Sequence, residues 1–212
     1  ILAKEKTLVK AWYSYLKNNR LIDLEHEMRK LSGRNALIII PKSQFCEEEL
    51  YGITYALKQA GVRVVVLSKS GQEALSMNRK KYKPDGMLVD WNKQAGIGGK
   101  YHVVILVGGK GARKSLWDDP IVPQILTDHY RSGSIIGALG SAIIVLMRAS
   151  LILGEIPLLR EELAKKELEA LGAVYIDTLV TSEGRIVLGQ GANAVKKFSQ
   201  TILDLIKVKN VF

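Results

Sequence analysis

Runs of valine and isoleucine alternate with helix-like segments from residue 35 almost to the end of the chain. The strands predicted from these runs lie at 36–41, 62–68, 102–109 and 134–139. The helices predicted between and after them lie at 46–61, 119–131, 141–153, 159–173 and 194–206. Near-continuous apolar strands that alternate with helices are typical of a mostly parallel sheet covered on both faces. The chain is therefore predicted to contain an α/β domain.

Two further segments carry turn signals. The sequence Pro84-Asp85-Gly86 predicts a short hairpin element within 83–91, and Glu183-Gly184 predicts the turn of a hairpin over 174–189. Ligands of doubly wound α/β sheets bind beyond the carboxyl ends of the strands. The loops at 42–48, 108–115 and 139–142 are therefore the predicted site.

The first 34 residues have a different pattern. Apolar residues recur there at spacings of three and four, with charged residues between them, as in Leu8, Trp12 and Leu16. This spacing predicts helices. We interpret residues 1–34 as an N-terminal helical extension and residues 35–212 as the α/β domain. The apolar stripe of residues 8–31 needs a surface to cover it.

Charge and cysteine content exclude several classes of protein. The net charge is +10, but the basic clusters at 78–83 and 108–115 have no aromatic interleaving typical of a nucleic-acid reader, so we expect no nucleic-acid partner. The second cluster approaches a phosphate-binding P-loop, except that Arg113 stands where the motif needs glycine.

A single cysteine, Cys46, excludes an internal disulfide and favours a reducing, cytoplasmic location. Three scattered histidines leave no structural zinc site, and we expect neither a metal nor another cofactor. No apolar run approaches the roughly 18–20 residues of a membrane span, so we expect no membrane association.

Five stretches, taken together, resemble the ThiJ/PfpI superfamily, relatives of class I glutamine amidotransferases. They lie at 36–61, 101–109, 131–154, 168–191 and 198–206, in the family's order and spacing. The resemblance implies a flavodoxin-like three-layer sandwich with a mostly parallel sheet. It also implies a homodimer or higher homo-oligomer, because members of this family commonly pair.

The resemblance extends to the catalytic positions of the family. It places the family's glutamate at Glu49 and the oxyanion-hole amides at Gly108 and Gly109. In PfpI-like members the nucleophile elbow, a sharp strand-to-helix turn, reads A-I-C-H-G-P, whereas residues 138–143 read A-L-G-S-A-I. The family cysteine thus aligns with Gly140, and its histidine neighbour aligns with Ser141.

Glycine at this turn is physically reasonable. An elbow nucleophile adopts strained backbone angles at a cost of about 1–3 kcal/mol, and glycine adopts them without a Cβ clash. We expect a positive φ at Gly140. The leading hypothesis is a pseudoenzyme: a non-catalytic binding or oligomer-forming module, with an elbow pocket open to a small-molecule ligand.

The alternative hypothesis is a hydrolase or lyase of the family's class, namely protease, amidase, glyoxalase or deglycase-like. Its candidate groups are Cys46, Glu49 and Ser141. The adjacent glutamates oppose a Cys46 thiolate. Ser141 needs a base, and none of the three histidines falls in a predicted site loop: His102 starts a strand, and His26 and His129 lie on polar helix faces. Ser141 could otherwise act as the N-cap of helix 141–153.

Overall fold

A seven-stranded sheet forms the centre of the computed structural model, which describes residues 31–208. Its strands and those of two small sheets are β1 (Asn35–Ile40), β2 (Arg63–Ser68), β3 (Ala74–Leu75), β4 (Lys81–Tyr82), β5 (Gly86–Met87), β6 (Val103–Leu106), β7 (Ile135–Leu139), β8 (Glu155–Pro157), β9 (Val174–Ile176), β10 (Val180–Glu183) and β11 (Ile186–Gly189). The helices are α1 (Glu47–Gln59), α2 (Ala112–Ser115), α3 (Ile121–Arg131), α4 (Ile143–Arg148), α5 (Glu162–Ala170) and α6 (Val195–Val208). The predicted extension, apart from its last four residues, lies outside the described range.

The large sheet has the order β10-β11-β7-β6-β1-β2-β5, and only the β10–β11 pair is antiparallel. Along β1, the odd-numbered Leu37 and Ile39 face one layer of helices, and the even-numbered Ile38 and Ile40 face the other. Helices α3, α4 and α5 cover the first face, and α1 and α6 cover the second. Side chains of consecutive strand residues alternate between faces, so strands buried on both sides read as unbroken apolar runs. The predicted three-layer α/β sandwich is confirmed.

The predicted long helix over 141–153 is wrong, because the chain forms a 3₁₀ turn over Gly140–Ala142 and then the short helix α4. The helix is closed by Ser150, whose φ is +54°. The N–H of Ser150 donates to the carbonyl of Met147, and the N–H of Leu151 donates to that of Leu146. This pair of bonds is a Schellman motif, which usually has glycine in the left-handed position.

The hairpin predicted within 83–91 is also wrong. Strand β5 instead adds to the sheet edge parallel to β2, and a 3₁₀ turn over Leu88–Asp90 follows it. The Asp85 carboxylate accepts the N–H of Val66 at 2.7 Å, which ties this segment to β2. The hairpin predicted over 174–189 is correct only for β10–β11, since β9 pairs with β8 in a separate small sheet.

A second hairpin, β3–β4, was not predicted and is fastened to the start of α1. The buried Glu47 carboxylate accepts hydrogen bonds from the Ser76 hydroxyl and from Nδ2 of Asn78, and it lies 3.0 Å from Nζ of Lys80. These three partners lower the pKa of Glu47 to about 2, with the Ser76 hydroxyl as the main cause. These contacts of Glu47 with the hairpin hold Met77 beside the loop that precedes α1.

Within residues 31–208, no helix combines the length and apolar character that crossing a membrane requires.

Candidate functional site

The three predicted site loops meet at one edge of the sheet and line a pocket of about 350 Å³. Three further segments complete it and were not predicted as part of the site: Met77 of the β3–β4 hairpin, residues 159–161 and the loop 190–193. Because β11 is parallel to β7, its carboxyl end lies at the same edge, and this topology is the signal that could have identified the loop. The pocket is lined by Cys46, Glu49, Met77, Gly109, Gly140, Ser141, Leu159, Arg160, Glu161, Gln190, Gly191, Ala192 and Asn193.

Glu49 lies at the floor of the pocket, in the first turn of α1, and is only 3% exposed. Its Oε2 accepts the N–H of Gly108 at 2.7 Å. Burial raises the pKa of this carboxyl to about 7, although the Gly108 hydrogen bond acts in the opposite direction. The pocket therefore contains an acid that exchanges its proton near neutral pH.

Gly140 follows β7 with a φ of +52°, so the expected positive φ is confirmed. A Cβ at this position would lie 3.4 Å from Oε1 of Glu49. Gly191, with a φ of +148°, approaches the same oxygen, since its Cβ would lie 3.7 Å away. Two glycines in conformations that L side chains rarely adopt thus border the Glu49 carboxyl.

Ser141 is buried beside Gly109, and the two residues exchange hydrogen bonds. The hydroxyl donates to the Gly109 carbonyl at 3.0 Å and accepts the Gly109 N–H at 3.2 Å. The prediction of Ser141 as a helix cap is wrong, because Ala142 occupies the cap position of α4 and no side chain bonds there. Together with the Gly108–Glu49 bond, this arrangement gives both predicted oxyanion-hole N–H groups an acceptor inside the protein.

Cys46 immediately precedes α1 and lines the same pocket, but its thiol is buried among carboxylates. Its Sγ donates to Oε2 of Glu48 at 3.5 Å. Burial, followed by the negative charge of Glu49, raises the pKa of the thiol far above its ordinary value. The thiolate is the reactive form of cysteine, and this environment disfavours it.

Arg160 and Glu161 form a charged part of the pocket wall that sequence reasoning missed. Glu161 occupies the N-cap position of α5, yet its carboxylate does not cap the helix. Burial raises the pKa of Glu161, whereas the charge of Lys110 and the Ser141 hydroxyl act to lower it. Arg160 is exposed, and among residues 31–208 it has no carboxylate within ion-pair distance. Nothing in the local sequence distinguishes these residues from ordinary surface charges.

Neither histidine in the described part of the chain lines the pocket. His102 directly precedes β6, and its Nδ1 accepts the N–H of Asn35. His129 does not lie on a polar helix face as predicted but is buried against the rings of Trp91 and Tyr101. His26 lies outside the described residues. Over residues 31–208, no three His, Cys, Asp or Glu side chains are grouped so that they could hold a metal ion.

Comparisons with known proteins agree with this architecture. The model of the DJ-1/PfpI family matches residues 34–205. The chain is 23% identical over 181 residues to an uncharacterized protein of Methanocaldococcus jannaschii, covering 85% of this chain and 86% of that protein. It is 22% identical over 174 residues to a glutathione-independent glyoxalase of Caenorhabditis elegans, covering 82% and 89%. The crystal structure of a ThiJ/PfpI domain protein from Brachyspira murdochii superposes with a TM-score of 0.73 at 18% identity, covering 84% of this chain and 99% of that one.

Proposed function

Because the chain belongs to the DJ-1/PfpI family, we propose that it is a non-catalytic member whose elbow pocket binds a small molecule without covalent chemistry. The observation that carries this proposal is the backbone at Gly140. A residue with a φ of +52° at the carboxyl end of β7, beside Glu49, corresponds to the position where the family resemblance puts the nucleophile, and this residue has no side chain. The pocket contains an acid, Glu49, but no side chain at the position that the resemblance gives to the nucleophile.

The alternative, a hydrolase or lyase acting through Cys46 or Ser141, has less support from the site. The Cys46 thiol is kept neutral by burial and by Glu49. The Ser141 hydroxyl is engaged by Gly109, and within residues 31–208 no histidine lines the pocket to act as its base. The glyoxalase activity in the name of the C. elegans relative makes 2-oxoaldehydes the first substrates to test.

We expect the purified protein to show no turnover of 2-oxoaldehyde, amide or peptide substrates above the buffer rate. The measurement is a steady-state assay of the wild type beside Cys46→Ala and Ser141→Ala, which remove the two remaining nucleophile candidates. Turnover by the wild type that disappears in either variant would establish the alternative.

The same assay is applied to Gly140→Cys, which adds a thiol at the position that the resemblance gives to the nucleophile. A thiol at position 140 would begin near Oε1 of Glu49, since the Cβ there would lie 3.4 Å from this oxygen. We expect the variant to react with a thiol-alkylating reagent in the native state but to turn over little substrate, because Ser141 stands beside it instead of the family histidine. Strong turnover by this variant would show that the site lacks only its nucleophile.

We further propose a homo-oligomer, most simply a twofold dimer, as in the pairing common among relatives. The sequence-based reason is the apolar spacing of residues 8–31, nearly all of which lie outside the described range. Light scattering at micromolar concentration should give a mass of about twice 23.5 kDa or more. A monomer mass for the full chain would contradict this proposal.

The basic segment 78–83 supports the expectation that nucleic acid is not a partner, because its lysines have partners within the chain. Lys80 pairs with Glu47 and Lys81 with Glu73, each near 3 Å, and Nζ of Lys83 donates to the carbonyl of Gly71. A phosphate-binding surface needs cations that are free to replace counterions.

A further inference from the structure

We propose that the pocket binds a free α-amino acid, with its ammonium group against Glu49 and Glu161 and its carboxylate against Arg160. This ligand class presupposes the non-catalytic pocket proposed above and adds the chemistry that the pocket recognises. The three charged side chains come from two separate regions of the chain, the start of α1 and the segment before α5, and all three line one pocket.

The charged side chains that line the pocket favour a ligand that carries both a positive and a negative charge. Glu161 is half-buried and does not cap the helix, and its carboxylate lies on the pocket side near the Ser141 hydroxyl and the charge of Lys110. Arg160, next to it in the chain, has no carboxylate within ion-pair distance among residues 31–208. A simple amine would leave the guanidinium unpaired, and a simple acid would meet two carboxyl groups. A zwitterion satisfies both, since charge-assisted hydrogen bonds are the strong ones.

The backbone adds a second group of donors for the carboxylate end. Ala192 and Asn193 line the pocket where the chain, after passing Glu49 at Gly191, enters a 3₁₀ turn and then α6. The first N–H groups of a helical segment have no partner inside it, and they favour a negative charge. The first turn of α6 contains no acidic side chain that would compete for them.

The size and the remaining wall restrict the side chain of the ligand. A volume of about 350 Å³ lies at the small end of ligand pockets, which range from about 300 to 1,000 Å³. Met77 and Leu159 supply apolar surface. We therefore expect an amino acid with a medium-sized apolar side chain, such as leucine.

The test uses three compounds with the same branched alkyl group. L-leucine carries both charged groups, 3-methylbutylamine lacks the carboxylate, and 4-methylpentanoate lacks the amine. Isothermal titration calorimetry on the full chain should show that leucine binds at least about tenfold more tightly than either analogue, as expected when one charge-assisted contact is lost. Absence of leucine binding, or equal affinity for one of the analogues, would overturn the proposal.

A pair of arginine variants assigns the carboxylate end. Arg160→Ala should weaken leucine binding at least about tenfold and leave the amine unaffected. Arg131→Ala is the matched control, because Arg131 is exposed at the end of α3, at the opposite edge of the sheet, and should change neither affinity. Equal loss in both variants, or no loss in Arg160→Ala, would contradict the assignment.

The ammonium end predicts a pH dependence. The groups that face Glu49 are the Cys46 thiol and the carboxylates of Glu48 and Glu161, with the Gly108 N–H bonded to it. If an ammonium needs Glu49 ionised, the affinity for leucine should rise about tenfold from pH 6 to pH 8, as the ionised fraction rises. Glu49→Gln should remove this rise, and a wild-type affinity that does not change with pH would contradict the proposed contact.

The outcomes separate the two proposals. Leucine binding combined with turnover of any assayed substrate would overturn the non-catalytic function while leaving the ligand class intact. Absence of both turnover and leucine binding would overturn only the ligand class.

Discussion

Replacing Gly109 by alanine is expected to lower the free energy of unfolding by about 3 kcal/mol or more. Gly109 has a φ of +112°, and a Cβ there would lie 2.5 Å from the Gln44 carbonyl oxygen, 2.6 Å from the Cys46 nitrogen and 2.8 Å from the Phe45 carbonyl carbon. All three atoms belong to the backbone, so no side-chain rotation can relieve the contact. Urea denaturation followed by circular dichroism measures the effect.

Two other glycines serve as controls because they separate strain from collision. Gly133 has a φ of +94° with no atom within 4 Å of its Cβ position, so Gly133→Ala reports the cost of the backbone conformation alone, about 1 kcal/mol. Gly140→Ala should cost about the same, since its nearest contact is an ordinary 3.4 Å. Equal losses for Gly109→Ala and Gly133→Ala would show that the β6–α2 loop moves freely away from the loop before α1.

Glu49→Gln is expected to abolish a loss of stability that the wild type shows as the pH rises. Burial raises the folded-state pKa of Glu49 from an ordinary 4.5 to about 7, so the native protein retains a proton that the unfolded chain releases. The contribution to stability is fully present below pH 4.5, and it decreases as the pH rises through 7. The difference in unfolding free energy between wild type and variant should shift by about 3 kcal/mol between pH 4.5 and 8.

The neighbouring Glu47→Gln is the control of opposite sign. The pKa of Glu47 is lowered to about 2, so its contribution is present above pH 4.5 and is lost as the pH falls toward 2. Denaturation curves at several pH values should therefore show that Glu47→Gln flattens the fall in stability below pH 4.5, whereas Glu49→Gln flattens the fall above pH 4.5. Parallel curves for the wild type and Glu49→Gln would mean that the buried carboxyl carries no retained proton.

The sequence predicted the elements whose signal is local. Unbroken Val/Ile runs located the buried parallel strands, and their carboxyl ends located three of the loops that line the pocket. The end of α4 could not be predicted in this way, because the residue in the left-handed position is Ser150 and the apolar pattern continues past it. Without glycine at that position, the periodicity suggests a helix twice as long.

Residues whose environment comes from distant parts of the chain were predicted least well. His129 has charged and polar sequence neighbours but is covered by Trp91 and Tyr101, which lie far before it in the chain. Arg160 and Glu161 precede α5 in sequence, yet they lie in the pocket because the chain returns across the carboxyl edge of the sheet. Such contacts depend on topology, which local patterns do not encode.

The three hydrogen bonds around Gly108 and Gly109 also have a kinetic consequence. The Glu49–Gly108 bond joins residues 59 positions apart, and the Gly109–Ser141 bonds join residues 32 positions apart. Contacts between such distant residues form only after the intervening chain has been ordered, so the pocket should be absent from most of the folding transition state. A molecule bound there would slow unfolding and leave the folding rate nearly unchanged, and the lifetime of the native state would increase with occupancy.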